Sequence, residues 1–308
     1  MGPSHEQSRP RPAPPRPATD RVRTTKLQVA PEVGGPAGPR DPAGGARSAA
    51  QDVQSAMAVQ WMTAVIDFPA ATYGPACAFW QAVTGFTLSV PGSGAGELGA
   101  LVPQRGNTYL RVQRVDRDNP GCRLVLYVDD LDEVERHAEK VGAAIARPRS
   151  GFIVMSSPAG LPLCVAAAGG ERQPERPQPQ FWPSGHRSVV DQLCLDIPSV
   201  AFGAEGFFWE AITGWERRPG SRPEFEYLVR PPAMPLRLLL QRLEDDEHGP
   251  GRAHLDLACD DVPAERFRHE SLGAVFVAEP SWTTLRDPAG LAYCITRRDP
   301  FTGTLRTP

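Results

Sequence analysis

Lysine is nearly absent from this 308-residue chain. Lys26 and Lys140 stand among 33 basic residues, so the other 31 are arginines. With 34 prolines and 29 glycines, this bias is the signature of a high-G+C bacterial genome, and it strips isolated arginines of functional weight. Excess charge is also lacking: 33 basic against 36 acidic residues leave a net charge of −3. Such a balance argues against a protein that coats nucleic acid or an anionic membrane, because neither polyanion gains binding energy from it. No apolar run approaches the roughly 20 residues that span a bilayer. The six cysteines form no CxxC pair and no dense framework, which reads as reduced thiols in a cytoplasmic protein. There is no nucleophile elbow, no phosphate loop and no His-Glu-x-x-His. The glycines at 92–96 lack the lysine and the helix start that phosphate binding requires.

What is present is organised by proline and by repetition. Residues 1–56 hold ten prolines and almost no large apolar side chain; they are expected to be a disordered Pro/Arg-rich tail without a secretory h-region. Residues 167–185, with their Glu-Arg-Gln-Pro-Glu-Arg-Pro-Gln-Pro-Gln run, read as a linker. They separate a block at 57–166 from a block at 186–298, and 299–308 read as a C-terminal tail. Two blocks of about 110 residues each suit two domains.

The blocks are copies. Phe79-Trp80-Gln81-Ala82-Val83-Thr84-Gly85 returns as Phe208-Trp209-Glu210-Ala211-Ile212-Thr213-Gly214, a shift of 129. Val128-Asp129-Asp130 returns as Cys259-Asp260-Asp261, and Val141-Gly142-Ala143 as Leu272-Gly273-Ala274, both shifted by 131. Pro158-Ala159-Gly160 returns as Pro288-Ala289-Gly290, a shift of 130. Four ordered matches at one offset mark an internal duplication. Within each block the periodicity predicts strand, helix and three strands, twice over. The strands at 62–68 and 190–197 open the blocks, and helices ending at Gly85 and Gly214 follow. A second strand–helix pair begins near 123 and near 254. The class is α+β.

In this order, twice, the Phe-Trp-x-x-Ile-Thr-Gly helix, Leu239-Leu240-Gln241-Arg242-Leu243, His254-Leu255-Asp256-Leu257 and Asp287-Pro288-Ala289-Gly290-Leu291-Ala292-Tyr293-Cys294 resemble the vicinal-oxygen-chelate superfamily, the glyoxalase and bleomycin-resistance fold. The resemblance covers 61–298. It implies two tandem glyoxalase-like domains, each built of paired βαβββ modules that curl into a cup. It does not imply one reaction. Carried over, the superfamily's ligand positions fall at Gln192, Gln241, His254 and Cys294 in the second block, and at Thr63, Gln113, Arg123 and Cys164 in the first. Strand alternation adds Asp256 to the face of His254.

Each of these residues has a plainer reading. His254 suits a hydrogen-bonded wall, and Cys164 and Cys294 suit core packing. The Asp129-Asp130 and Asp260-Asp261 pairs suit helix capping. A divalent metal (zinc, nickel, manganese or iron) would find one imidazole, two neutral amides and a thiol in the second block. In the first block Arg123 would repel it. Three functions stay open: a metal-free cup that holds a small molecule, a metal-dependent lyase or isomerase acting on vicinal oxygens through Gln192, Gln241 and His254, and a non-catalytic scaffold or regulatory module. The expected partner is a small-molecule ligand, with no nucleic acid and no membrane, in a monomer whose domains pair within the chain or in a homodimer. In the ligand-binding case, His254→Ala and Gln241→Ala would weaken binding and leave the melting temperature little changed.

Overall fold

Long apolar strands open both halves of the folded chain. The computed structural model describes residues 59–90, 98–149, 151–169, 175–244, 249–279 and 282–306; the tail expected over 1–56 lies outside them. Strand β1 (Val59–Pro69) and its copy β10 (Arg187–Ile197) are nearly continuous in burial, because each is covered on both faces. Each leads to a helix, α1 (Tyr73–Thr84) and α3 (Phe202–Thr213). Both helices end where the repeated Thr-Gly pair predicts: Gly85 and Gly214 take φ of 70° and 68° and close the last turn through N–H bonds to Gln81 and Glu210.

Three strands follow each helix. In the first half these are β2 (Thr87–Ser89), β3 (Leu98–Val102) and β4 (Leu110–Val115). A second module adds β5 (Gly121–Val128), helix α2 (Leu131–Lys140), β6 (Ala144–Arg149), β7 (Phe152–Ser156) and β8 (Pro162–Ala167). The two modules share one sheet of order β2-β3-β4-β1-β5-β8-β7-β6. The second half repeats it as β11-β12-β13-β10-β14-β17-β16-β15. Here β11 is Arg217–Pro219, β12 Phe225–Leu228, β13 Arg237–Arg242, β14 Arg252–Cys259, β15 Val275–Ala278, β16 Thr283–Arg286 and β17 Ala292–Thr296, with helix α4 at Val262–Ser271. Asp130 and Asp261 cap α2 and α4, each accepting from the N–H three residues on.

The described part of the 167–185 stretch is not free of the sheets. Glu175 exchanges two hydrogen bonds with Asn107, and β9 (Gln180–Phe181) pairs with β10. The C-terminal residues likewise fold back, with Arg298 bridging Leu305 around a turn closed by Gly303 N–H on Asp299.

One apolar core runs through both halves, and the helices cross between them. Trp80 of α1 donates its indole N–H to Asp287, in the loop before β17, and its ring lies 5.4 Å from that of Tyr293. The reciprocal contact uses a different residue. Ser157 stands where the copy has Asp287, so no carboxylate is available in that loop. Glu205 of α3 supplies it: one oxygen accepts from the Ala159 N–H at 2.8 Å, the other from Trp209 at 2.7 Å. A third tie comes from Arg268 of α4, which donates to the carbonyls of Ala82 and Val83 at the end of α1, where the helix dipole favours a cation. Arg268 is held by the buried Glu265, which also accepts from His269, His186 and Ser188.

Removing Glu205 leaves the Ala159 N–H and the Trp209 indole buried without an acceptor. Glu205→Ala is expected to cost about 2–4 kcal/mol in urea unfolding. A loss under about 1 kcal/mol, the value of an ordinary helix cap, would show that apolar packing alone seats α3.

Candidate functional site

Sheet register sorts the candidate residues into rows. On the face turned away from the helices, β10 presents Gln192, Cys194 and Asp196, while Leu193, Leu195 and Ile197 enter the core. One row runs Phe225–Gln241–Asp196–Arg252 and the next Tyr227–Leu239–Cys194–His254. The third runs Arg237–Gln192–Asp256–Cys294–Thr284. The duplicated sheet has the rows Leu98–Gln113–Asp67–Gly121, Ala100–Arg111–Val65–Arg123 and Thr63–Val125–Cys164–Val154. The candidates therefore form two clusters, one per cup.

In the second cup the residues touch. His254 sits between two carboxylates, with Nδ1 3.2 Å from Asp196 and Nε2 3.3 Å from Asp256. Its side chain keeps only 15% exposure. Burial, the strongest influence, pushes the imidazole pKa down; Asp196, Cys194 and Asp256 outweigh it, and the value stands well above the usual histidine range. For Asp196, burial pushes upward, but His254 and Arg252 together hold the carboxyl below its ordinary value. Gln192 donates to Asp256. The Cys194 thiol donates to Gln241 at 3.5 Å, and Cys294 lies 3.9 Å from His254 Nε2. Burial pushes Cys194 up to about 12 and raises Cys294 too, so both are thiols and not thiolates at neutral pH.

The first cup carries the same frame with other chemistry. Asp67, the copy of Asp196, accepts from Arg117 at 2.8 Å and Arg123 at 3.2 Å. Arg123 also donates to Gln113. Burial outweighs both arginines and raises the Asp67 pKa. Cys164 is raised by burial as well. Thr63 is buried in the row of Cys164, away from the Arg123 pair. An open groove of about 780 Å³, lined by Ser199, Val200, Glu224 and Arg242 among others, lies outside both sets of rows.

Sequence reasoning missed Asp196, Asp191 and Arg298. Asp191 occupies the bulge between Val190 and Gln192, where one extra residue turns its side chain. Its carboxylate takes a two-pronged contact from the buried Arg298, whose Nη1 lies 4.0 Å from Asp256. The signal for Asp196 was present: Asp67 and Asp196 stand at equal places near the ends of apolar strands, two residues before a proline. Nothing in the sequence pointed to Arg298.

The geometry also corrects the expected tolerance of His254→Ala. The imidazolium is the cation between the buried carboxylates of Asp196 and Asp256. Its removal leaves Asp196 to Arg252 alone and Asp256 to the more distant Arg298, and is expected to cost about 3–5 kcal/mol.

Cys194, His254 and Asp256 can each offer one donor atom, all within 4.8 Å of one another. They do not fit a divalent metal as they stand. Both imidazole nitrogens face carboxylates, the thiols are protonated, and continuing the β14–β17 register from Asp256–Cys294 brings Ala292 beside His254, where a methyl group offers no donor. Three aspartates (Asp191, Asp196, Asp256) already meet three cations (Arg298, Arg252, His254).

The family described as glyoxalase-like domain matches residues 63–166 and 192–296. No curated protein matches the chain in sequence. Among solved structures, a mutant 4-hydroxymandelate synthase from Streptomyces coelicolor aligns at TM-score 0.53 and 15% identity, over 78% of this chain and 91% of that one. The 2,2',3-trihydroxybiphenyl 1,2-dioxygenase of Sphingomonas wittichii strain RW1 aligns at TM-score 0.53 and 13% identity, over 77% and 90%. At these identities the likeness is one of fold. With the family present twice, over more than half its length, the chain belongs to the glyoxalase-like domain family of the vicinal-oxygen-chelate superfamily, as a tandem duplication.

Proposed function

We propose that this chain is a small-molecule-binding protein whose second cup works without a catalytic metal. The observation that carries the reading is the His254 imidazolium, held between Asp196 and Asp256 on the row where the superfamily resemblance places a metal ligand. A bound divalent ion would have to expel that proton and part the ring from Asp256. The same imidazolium sets a positive charge at the cup floor, with the Gln241 amide and two thiols beside it.

One observation favours the metal-dependent lyase or isomerase as a second reading. Asp256 Oδ1 and Gln192 Oε1 are buried acceptors with no hydrogen-bond donor, although the His254 ring stands at ion-pair distance from the former. Elemental analysis separates the two. Protein purified without tag or chelator and then loaded with zinc, nickel, manganese or iron(II) is expected to retain no stoichiometric metal. Stoichiometric metal that disappears in His254→Gln would replace the binding reading with the enzyme reading.

The charge arrangement has a pH signature. The folded pKa of His254 lies above its unfolded value, so its contribution is complete below about pH 6.5 and fades as pH rises through the folded value. The folded pKa of Asp196 lies below its unfolded value, so its contribution is complete above about pH 4 and fades as pH falls through the folded value. The stability gap between wild type and Asp196→Asn in urea is therefore expected to be widest between about pH 4 and 6.5 and to narrow on both sides. A gap that keeps widening above neutral pH would mean that His254 is neutral in the fold.

A further inference from the structure

On the helix side of the second sheet, away from the cup residues, a serine, a histidine and a glutamate stand in line. His186, just before β10, is buried, and its Nε2 lies 2.7 Å from Glu265 of α4. Its Nδ1 lies 2.7 Å from Oγ of Ser184. Burial pushes the Glu265 pKa up, but hydrogen bonds from Arg268 and His269 outweigh it and hold the carboxyl well below its ordinary range. An ionised Glu265 has no proton to give, so His186 Nε2 carries the one between them. In the neutral ring Nδ1 is then a bare acceptor, and the Ser184 hydroxyl donates to it. Nucleophile, base and orienting carboxylate in this order are what activates a serine.

A tight turn presents Ser184 to solvent. Gly185 N–H donates to the Trp182 carbonyl and Trp182 N–H to that of His186, both at 2.9 Å, with Gly185 at φ 89°. Trp182 is pinned in turn: its indole donates to Ser188 at 2.8 Å, and the Arg268 guanidinium lies 3.5 Å from its ring centroid. Ser184 is exposed beside its buried base. Among the described residues no acceptor meets the Ser184 N–H, and a nucleophile's own N–H is a donor suited to a developing oxyanion.

The fold does not require this polar line. In the first half Val59 pairs with Val128 as Ser188 pairs with Cys259, and Val134 follows Asp130 at the distance at which Glu265 follows Asp261. Both valines are buried, so apolar side chains fill these positions in the copy.

We propose that Ser184 is a catalytic nucleophile for acyl transfer to water, with His186 as its base and Glu265 as a positioning residue. Oγ attacks the carbonyl carbon of an ester and passes its proton to His186 Nδ1. The bond to the leaving oxygen or sulfur breaks, and the leaving group takes that proton. Water, deprotonated by the same nitrogen, then releases the acid and restores Ser184. An exposed serine has little remote binding energy to draw on, which selects esters with good leaving groups, phenyl esters and thioesters. The site is independent of both cups.

The test is irreversible labelling of the full chain by a fluorophosphonate, which loses fluoride to the attacking serine, mapped by peptide mass spectrometry. Ser184 is expected to react at least about 100-fold faster than Ser271, an exposed serine whose hydroxyl donates to the Arg268 carbonyl instead of to a base. His186→Gln should slow Ser184 by a similar factor. Glu265→Gln turns a donor toward His186 and should slow Ser184 while Ser271 keeps its rate. Release of p-nitrophenol from p-nitrophenyl acetate should fall at least about tenfold in Ser184→Ala. The comparison with Ser271 lies within the wild-type protein and decides the matter if the buried variants fail to fold. Ser184 no faster than Ser271, unchanged labelling in folded His186→Gln, or unchanged p-nitrophenol release in Ser184→Ala would each overturn the proposal.

Discussion

Two buried carboxylates cross between the repeats, and the cups depend on them. Asp287 holds Trp80 of the first half, and Glu205 holds the Ala159 loop of that half while it fixes Trp209. Both helices are apolar on nearly every side, so neither could serve as an exposed cover for a single sheet. Each has to lie between the halves. A buried carboxylate is costly unless it is met by donors, and here every such oxygen has one. The interface is therefore specified by polar bonds within an apolar contact. The duplication has kept the bond and moved the residue: a loop aspartate on one side is replaced by a helix glutamate on the other, because Ser157 is too short to reach.

With the helices on one face, the opposite face of each sheet is left to form a cup. The two cups share a frame of Asp67 and Asp196 on the opening strand, Gln113 and Gln241 beside them, and a cysteine two or three strands away. What differs is the cation. Arg123 answers Asp67 in the first cup, whereas His254 answers Asp196 and Asp256 in the second. A guanidinium is permanently charged, so the first cup is a fixed ion pair. An imidazolium carries a removable proton, and the neighbouring row holds donors and acceptors without partners. Unspent hydrogen-bonding capacity remains in both cups, at Asp67 Oδ1 and Arg111 Nε in the first and at Gln192 Oε1 and Arg237 Nε in the second.

The legible parts of the sequence were those that repeat or alternate. The shift of 129–131 marked the duplication, and the strand and helix order followed from periodicity. The capping role of Asp130 and Asp261 followed from their place before a helix. Alternation placed His254 and Asp256 on one face, which the register confirms. The C-terminal residues and the Pro/Gln-rich stretch were harder to read. Their composition suggests free chain, yet Leu305 bridges back to Arg298 and Gln180–Phe181 pair with β10. Such contacts depend on what the rest of the fold presents to them and leave no local pattern.

The sequence by itself determined the class, the duplication, the strand faces and the residue types available to each cup, since all of these rest on spacing along the chain. Only the tertiary structure decided how those residues meet. A bulge at Asp191 and the return of the chain at Arg298 bring together groups 107 positions apart. Whether His254 is a neutral ligand or a clamped cation depends on which carboxylates surround it. That is a matter of distance between strands, and distance between strands is not written in either strand alone.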